Sequence, residues 1–190
     1  MIELARVLVV AATERELATS GGWRTLCCGV GPVEAAAATA AAIAIDRPAA
    51  ILHVGIAGAR RQRALATASL VIGTEARYHD LGVPAALAPA VVSASAALLE
   101  AVARALPEAP ALAIGTSGRV GGTSGADVEA MEGFGVLRAA QRAGVPAVEV
   151  RAISNEIEET DRTRWHFDAA FAAISAATPR LVEEVARCVS

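Results

Sequence analysis

The chain has 190 residues, 54% of them apolar, with a net charge of −3 and aromatics at 3%. That length fits a single domain spanning residues 1–190, and the absence of lysine, of basic blocks and of abundant aromatics argues against a nucleic-acid groove or stacking platform. The longest apolar run, Ala35 to Ile45, is too short to span a bilayer.

Three cysteines, the adjacent Cys27 and Cys28 and the distant Cys188, match neither a disulfide framework nor metal-ligand spacing. The N-terminus enters a strand without a basic leader, so a soluble protein of the reducing cytoplasm is expected.

In chain order, Arg6 to Ala11 is rich in Val and Leu and predicts a strand. Glu14 to Ala18 follows as a short connection or helical turn, and Thr25 to Cys28 as a second strand. Gly29-Val30-Gly31-Pro32 is a turn whose proline suits the first turn of a helix, expected over Val33 to Ile45. Ala50 to Val54 predicts a strand that stops at a turn, Gly55-Ile56-Ala57-Gly58, where a side chain would obstruct whatever approaches. Leu70 to Ala76 is another strand, with Tyr78-His79-Asp80 beginning the loop after it. Ala94 to Ala105 predicts a helix, Ala111 to Gly115 a strand, and Thr116 to Gly125 a loop rich in Gly, Ser and Thr. A helix is expected from Asp127 to Ala143, stopped by Gly144 ahead of Pro146. Ala147 to Ile153 is nearly continuous in apolar residues, as a strand covered on both faces would be. Phe167 to Cys188 closes the chain as a helical region interrupted near Pro179. Strands alternating with helices predict an α/β layer fold with a largely parallel sheet. Ligands of such folds sit beyond the strand ends, where Glu16, the Gly55 turn, the Thr116 loop and Asn155 all fall.

Six short blocks carry a family resemblance by their order. They are Ala12-Thr13-Glu14-Arg15-Glu16, Gly29 to Val33, Val54 to Gly58, Glu75 to Asp80, Val128 to Gly133, and Arg151 to Asn155. With them the chain resembles the purine nucleoside phosphorylase/nucleosidase superfamily. More specifically it resembles the futalosine hydrolases, relatives of methylthioadenosine/S-adenosylhomocysteine nucleosidase. The resemblance implies an α/β fold with a twisted mixed sheet partly closed into a barrel and flanked by helices. It implies hydrolysis of the N-glycosidic bond of futalosine, releasing hypoxanthine, with no metal and no cofactor. It also implies a small-molecule nucleoside as the ligand and a homodimer or higher homo-oligomer.

The chemistry of the matched residues agrees with those expectations. A ribose offers vicinal hydroxyls, and one carboxylate can accept from both while favouring positive charge at C1′. The family's ribose-binding glutamate matches Glu132, with Met131 under the sugar. Glu16 matches the glutamate that activates water, a task that needs a carboxylate within hydrogen-bond reach. Glu14, two residues earlier, is the competing acid and reads as a surface residue. Asn155 stands where the methylthioadenosine enzymes have a proton-donating Asp. Its amide supplies one donor side and one acceptor side, which suits a 6-oxopurine better than adenine. Phosphorylases of the superfamily hold phosphate with an Arg and a hydroxyl residue at the positions of His53 and Ile56, so water is the expected acceptor. His53 itself reads as a satisfied core histidine, and Arg60 and Arg61 as solvated.

The resemblance further assigns Ile56, Ala57, Gly58, Val120, Arg151 and Ser154 to the substrate site. Trp165 could cover the purine, and Arg162 or Arg164 could pair with the distal carboxylate of futalosine. The loop from Thr116 to Thr123 lacks the aromatic that stacks on adenine in the methylthioadenosine enzymes. The segments after Glu16 and after Val83 are short for the family. Tyr78, His79 and Asp80 are consecutive and cannot all face one atom, so they are not read as a catalytic set; in relatives this loop borders the subunit interface. A methylthioadenosine nucleosidase and a non-catalytic nucleoside-binding relative remain the alternatives.

Overall fold

The structure, a computed structural model, describes residues 3–121 and 124–190. The part of the Thr116 loop at Gly122 and Thr123 therefore lies outside the described residues.

The strands are β1 (Val7–Ala11), β2 (Arg24–Cys27), β3 (Ala50–Ala59), β4 (Leu70–Tyr78), β5 (Val91–Ser93), β6 (Ala111–Thr116), β7 (Val128–Ala130) and β8 (Ala147–Glu156). The main helices are α1 (Pro32–Ile45), α2 (Ala96–Ala105), α3 (Gly133–Ala143) and α4 (Phe167–Cys188). The strands form one sheet in the order β2-β1-β3-β7-β6-β4-β5, and β8 pairs with both β3 and β4. That double pairing closes β3, β7, β6, β4 and β8 into a five-stranded ring.

The closure follows from length and apolarity. β3 and β8 each run ten residues, and β8 is buried from Ala147 to Ser154. A strand so apolar must be covered on both faces, and helices pack over the outside of the sheet. β1 is buried at all five positions and lies between β2 and β3.

The sheet is mixed and partly closed, as the resemblance implies: β4 runs antiparallel to β8 and to β5, and β7 antiparallel to β3, while the other five pairings are parallel. Several local expectations are corrected. Gly55-Ile56-Ala57-Gly58 is no turn but the continuation of β3, held in register with Arg151 to Asn155 of β8. The helix expected from Asp127 starts only at Gly133; Val128–Ala130 form β7 instead. Hydrogen bonding to β6 on one side and β3 on the other outweighs the local helical preference there. β4 runs on through Tyr78, and the short edge strand β5 pairs with it. α4 is continuous through Pro179, because buried residues on both sides of it, Ile174 and Ala177 before and Leu181 and Val185 after, hold one face against the sheet and α2.

α1 and α3 meet so closely at Gly135 that an added Cβ would stand 2.4 Å from the carbonyl oxygen of Pro32. This contact fixes the start of α3 beside the Gly29–Pro32 turn. Gly135→Ala forces two backbones apart, and overpacking of this kind costs about 1–3 kcal/mol. Chemical denaturation should show that loss, and an unchanged midpoint would mean that the helices are not locked here.

Candidate active site

A cavity of about 300 Å³ opens where the chain leaves β1 and β7 and where the second halves of β3 and β8 run side by side. Of the residues expected at the site, Glu16, Ile56, Ala57, Gly58, Val120, Met131, Glu132, Ser154, Asn155 and Trp165 line it.

Glu16 sits in a single helical turn, Glu14–Glu16, just after β1. One carboxylate oxygen, Oε2, accepts from the backbone N–H and from the hydroxyl of Thr13, both at 2.9 Å. The other, Oε1, accepts from the backbone N–H of Ile56 at 3.1 Å. Three donors leave the carboxylate little freedom, and Oε1 keeps a lone pair for a water molecule. Glu16 is 3% exposed, whereas Glu14 faces solvent. The Thr-x-x-Glu spacing of a capping box is the sequence signal that separates the two acids.

Glu132 is not in a helix interior but at the N-cap of α3, where β7 delivers it, and it is 5% exposed. Its Oε1 accepts from the backbone N–H of Gly31 at 3.1 Å, and its Oε2 from Arg151 Nη2 at 3.3 Å. Gly31 has φ +97°, a conformation glycine adopts readily, and this aims its N–H at the carboxylate. The remaining lone pairs of Glu132 are free to accept from ligand hydroxyls.

Arg151 departs from the expected substrate-lining role. It is fully buried behind the cavity wall. Its Nε donates to Glu149 at 2.7 Å, Nη2 reaches His53 Nε2 at 2.5 Å as well as Glu132, and Nη1 reaches the carbonyl of Ile56 at 3.4 Å. Burial works against its charge, but the carboxylates of Glu149, Glu132 and Glu16 outweigh that and raise its pKa above the ordinary arginine value. Gly55 makes room for this arrangement. A Cβ there would fall 2.2 Å from Arg151 Nη1 and 2.8 Å from Glu16 Oε1, so what approaches Gly55 is protein and not ligand.

Asn155 is positioned by an irregularity in β8. Between Ala57 and Gly58 the β3–β8 register shifts, so that Ser154 is skipped and Asn155 lies opposite Gly58. Such bulges re-aim side chains beside functional sites. The Ser154 hydroxyl lies 2.8 Å from Asn155 Oδ1, to which it donates, and 3.2 Å from the Ala57 carbonyl. Asn155 Nδ2 donates to the carbonyl of Glu156 at 2.9 Å. One N–H and one acceptor lone pair of the amide are left over.

The outer wall comes from the start of α4 and the segment before it. Trp165, Phe167 and Phe171 line the cavity, with ring centroids 5.5 Å apart for the first pair and 6.2 Å for the second. Trp165 Nε1 donates to the Glu159 carbonyl at 3.0 Å, which fixes the indole. Arg162 lies 5.7 Å over that ring and lines the cavity, while Arg164 pairs with Glu159 at 3.4 Å. Arg60 and Arg61 are not simply solvated. They pair with Glu158 and Glu156, and neither lines the cavity. Tyr78 stacks on Phe134, His79 donates its N–H to the Thr116 carbonyl, and Asp80 accepts from the Gly118 N–H, so the triplet braces the neighbouring loop.

Sequence reasoning passed over Glu149, Phe167 and Phe171. Glu149 was visible as a lone acid in an apolar strand, two residues from an arginine and hence on the same strand face. The two phenylalanines carry the i, i+4 spacing of one helix face.

The family model described as "Phosphorylase superfamily" matches residues 17–187. A curated futalosine hydrolase of Streptomyces coelicolor is 37% identical over 186 residues, covering 84% of this chain and 78% of that protein. Among solved structures, the 5′-methylthioadenosine/S-adenosylhomocysteine nucleosidase of Neisseria meningitidis, in complex with methylthio-immucillin-A, aligns with TM-score 0.81 at 22% identity, covering 93% of this chain and 98% of that one. A futalosine hydrolase of Helicobacter pylori aligns with TM-score 0.81 at 16% identity, over 94% and 97% of the two chains.

The buried imidazole of His53 gives the cluster a pH dependence. Burial, and then the charge of Arg151, lower its pKa well below 6.5, and its hydrogen bond to the Val10 carbonyl restores only part of that. In the unfolded chain His53 binds a proton below about pH 6.5, whereas in the folded protein it stays neutral to lower pH. Its contribution to stability is therefore complete above that pH and is lost as pH falls toward the folded-state value. Urea unfolding from pH 7 downward should show stability falling through this window, with a shallower slope in His53→Gln. Equal slopes would assign the titration to other groups.

Proposed function

This chain belongs to the phosphorylase superfamily and, within it, to the futalosine hydrolase family, and on that premise we propose that it hydrolyses the N-glycosidic bond of futalosine, releasing hypoxanthine on a route to menaquinone. The observation that carries the reading is the convergence of Glu16, Glu132 and Asn155, from three distant segments, on one cavity of about 300 Å³.

In this mechanism Glu132 accepts from the 2′ and 3′ hydroxyls and holds the sugar over Met131. The bond to the base lengthens first, and positive charge spreads over C1′ and the ring oxygen. Two fixed carboxylates in an apolar cavity favour that charge. Glu16 Oε1 orients the water, which attacks C1′ and passes its proton to the carboxylate. The base leaves with the bonding electron pair. The spare N–H of Asn155 meets its 6-oxo group, N7 takes a proton from solvent as the base leaves, and the spare acceptor of the amide accepts from that N7–H. Trp165 covers the purine.

Water rather than phosphate is the acceptor. At the positions where phosphorylases hold phosphate, this chain has a buried neutral imidazole, His53, and an aliphatic chain, Ile56. On the distal side, Arg164 is taken up by Glu159, while Arg162 has no carboxylate partner among the described residues. Arg162 is therefore the guanidinium assigned to the carboxylate of futalosine.

Purified protein should release hypoxanthine from futalosine without phosphate. Glu16→Gln should lower kcat on the order of 10²–10⁴-fold with little change in KM. Arg162→Ala should bring futalosine down to the level of inosine. Adenine release from methylthioadenosine alone would overturn the substrate assignment.

The same reading includes a homodimer in the cytoplasm. Val30, in the turn before α1, is 57% exposed and lines the cavity, and Val33, in the first turn of α1, is 73% exposed beside Tyr78 and Phe134; together they present an apolar face at the cavity's edge. Cys27, Cys28 and Cys188 are free thiols, as suits a reducing compartment. No helix among the described residues is long and apolar enough to cross a membrane. Sedimentation should give a dimer that Val33→Glu dissociates; a monomeric parent protein would refute this interface.

A further inference from the structure

Glu149 takes no part in the chemistry above, yet it is fully buried near the start of β8, where Arg151 is the only other charged residue as far as Ile153. Its Oε1 accepts from Arg151 Nε at 2.7 Å, and its Oε2 has no hydrogen-bond partner among the described residues. The carboxylate lies against the first turn of α3. A Cβ on Gly133 would stand 2.3 Å from Oε2 and 2.6 Å from Oε1. The notch that receives it thus exists only because the residue directly after Glu132 has no side chain. Burying a carboxylate with one oxygen unpartnered is costly, and burial indeed pushes its pKa up against the pull of Arg151.

We propose that Glu149 is a positioning residue for the sugar-holding carboxylate: by clamping Nε of Arg151 it sets the rotation of the guanidinium, so that Nη2 meets Glu132 and Nη1 meets the carbonyl of Ile56. The proposal rests on the reading of Glu132 as the ribose acceptor. A guanidinium is planar and rigid, so fixing the direction of Nε–H fixes both outer nitrogens. The Nε bond to Glu149 is short at 2.7 Å and the Nη2 contact to His53 shorter at 2.5 Å, while the contacts to Glu132 and Ile56 are long at 3.3 and 3.4 Å. Long contacts hold direction poorly by themselves, so the two short ones set the orientation: His53 pins one corner of the guanidinium, and Glu149, on Nε, fixes its rotation about that point. Ile56 also supplies the N–H that holds Glu16, so the same clamp steadies the strand between the two acids. Glu149 also shares the single positive charge of Arg151. Without it more of that charge would fall on Glu132, with Glu16 the weaker remaining partner, and would offset the carboxylate that the cationic sugar needs.

The test is calorimetric, with inosine and free hypoxanthine as probes, in the Glu16→Gln background so that the nucleoside survives the titration. Adding Glu149→Leu should weaken inosine binding on the order of tenfold, the scale of one hydrogen bond to a charged group, and leave hypoxanthine binding unchanged. Adding Glu149→Gln should restore most of the inosine affinity, because its amide oxygen can accept from Nε. If the Leu protein does not fold, Glu149→Asp, one methylene too short to reach, should show the same selective loss. With Glu132→Gln also present, Glu149→Leu should cost nothing further, since both would act through one contact. Equal losses for inosine and hypoxanthine, or additive losses with Glu132→Gln, would overturn the proposal. Absence of futalosine hydrolysis by the unmodified protein would instead refute the proposed reaction and leave this binding test standing.

Discussion

The site is organised around one buried cation. Arg151 carries a full charge where no water reaches it, and an isolated charge there would cost several kcal/mol. It is retained because Glu149 and Glu132 flank it, His53 accepts from it, and Gly55 leaves space for it. Each member of the set is tolerable only with the others in place. Removing one partner of a buried pair leaves an uncompensated charge, which is worse than never having had the pair. The cluster therefore behaves as a unit, and its outward face is the carboxylate of Glu132.

The ring of five strands brings that unit to the cavity. β8 supplies Glu149 and Arg151 from its buried half and Asn155 from its end, with the shift in register between the two. β3 runs alongside and contributes Gly55, where the protein needs an absent side chain, and Ile56, whose two backbone groups serve Glu16 and Arg151. β7 is only three residues long, but its pairing with β3 and β6 ends at the place where Glu132 must stand. The three groups of the proposed mechanism thus come from separate segments: Glu16 from a helical turn just after β1, Glu132 from the N-cap of α3 just after β7, and Asn155 from paired β8.

The opposite wall is of a different kind. Trp165, Phe167 and Phe171 form an aromatic face with Arg162 above it, on the helical turn Arg162–Arg164 and the start of the long helix α4, outside the ring. The inner wall carries the groups suited to bond cleavage, and this outer wall carries those suited to recognising the rest of the molecule. On the proposed function, a face of rings topped by a guanidinium that has no carboxylate partner among the described residues would take an aromatic, carboxylate-bearing substituent.

Much of this was legible in the chain itself. The apolar runs of β1 and β8, the proline-led start of α1 and the glycine stop of α3 follow from local physics, because strand burial, fixed φ and positive φ leave direct marks on residue choice. Thr13 and Glu16, at capping-box spacing, also mark themselves locally. What local physics misjudged were segments whose state depends on distant partners. Val128–Ala130 looks helical and becomes a strand because β3 and β6 are waiting on either side. Gly55–Gly58 looks like a turn and stays extended because β8 continues beside it. Arg151 reads as a residue that lines the site and is instead buried behind the cavity wall, bonded to Glu149 and Glu132. Strand pairing, register shifts and the matching of buried charges are relations between residues far apart in the chain. They are settled only when the ring closes, since nothing in a short window records which partner will arrive.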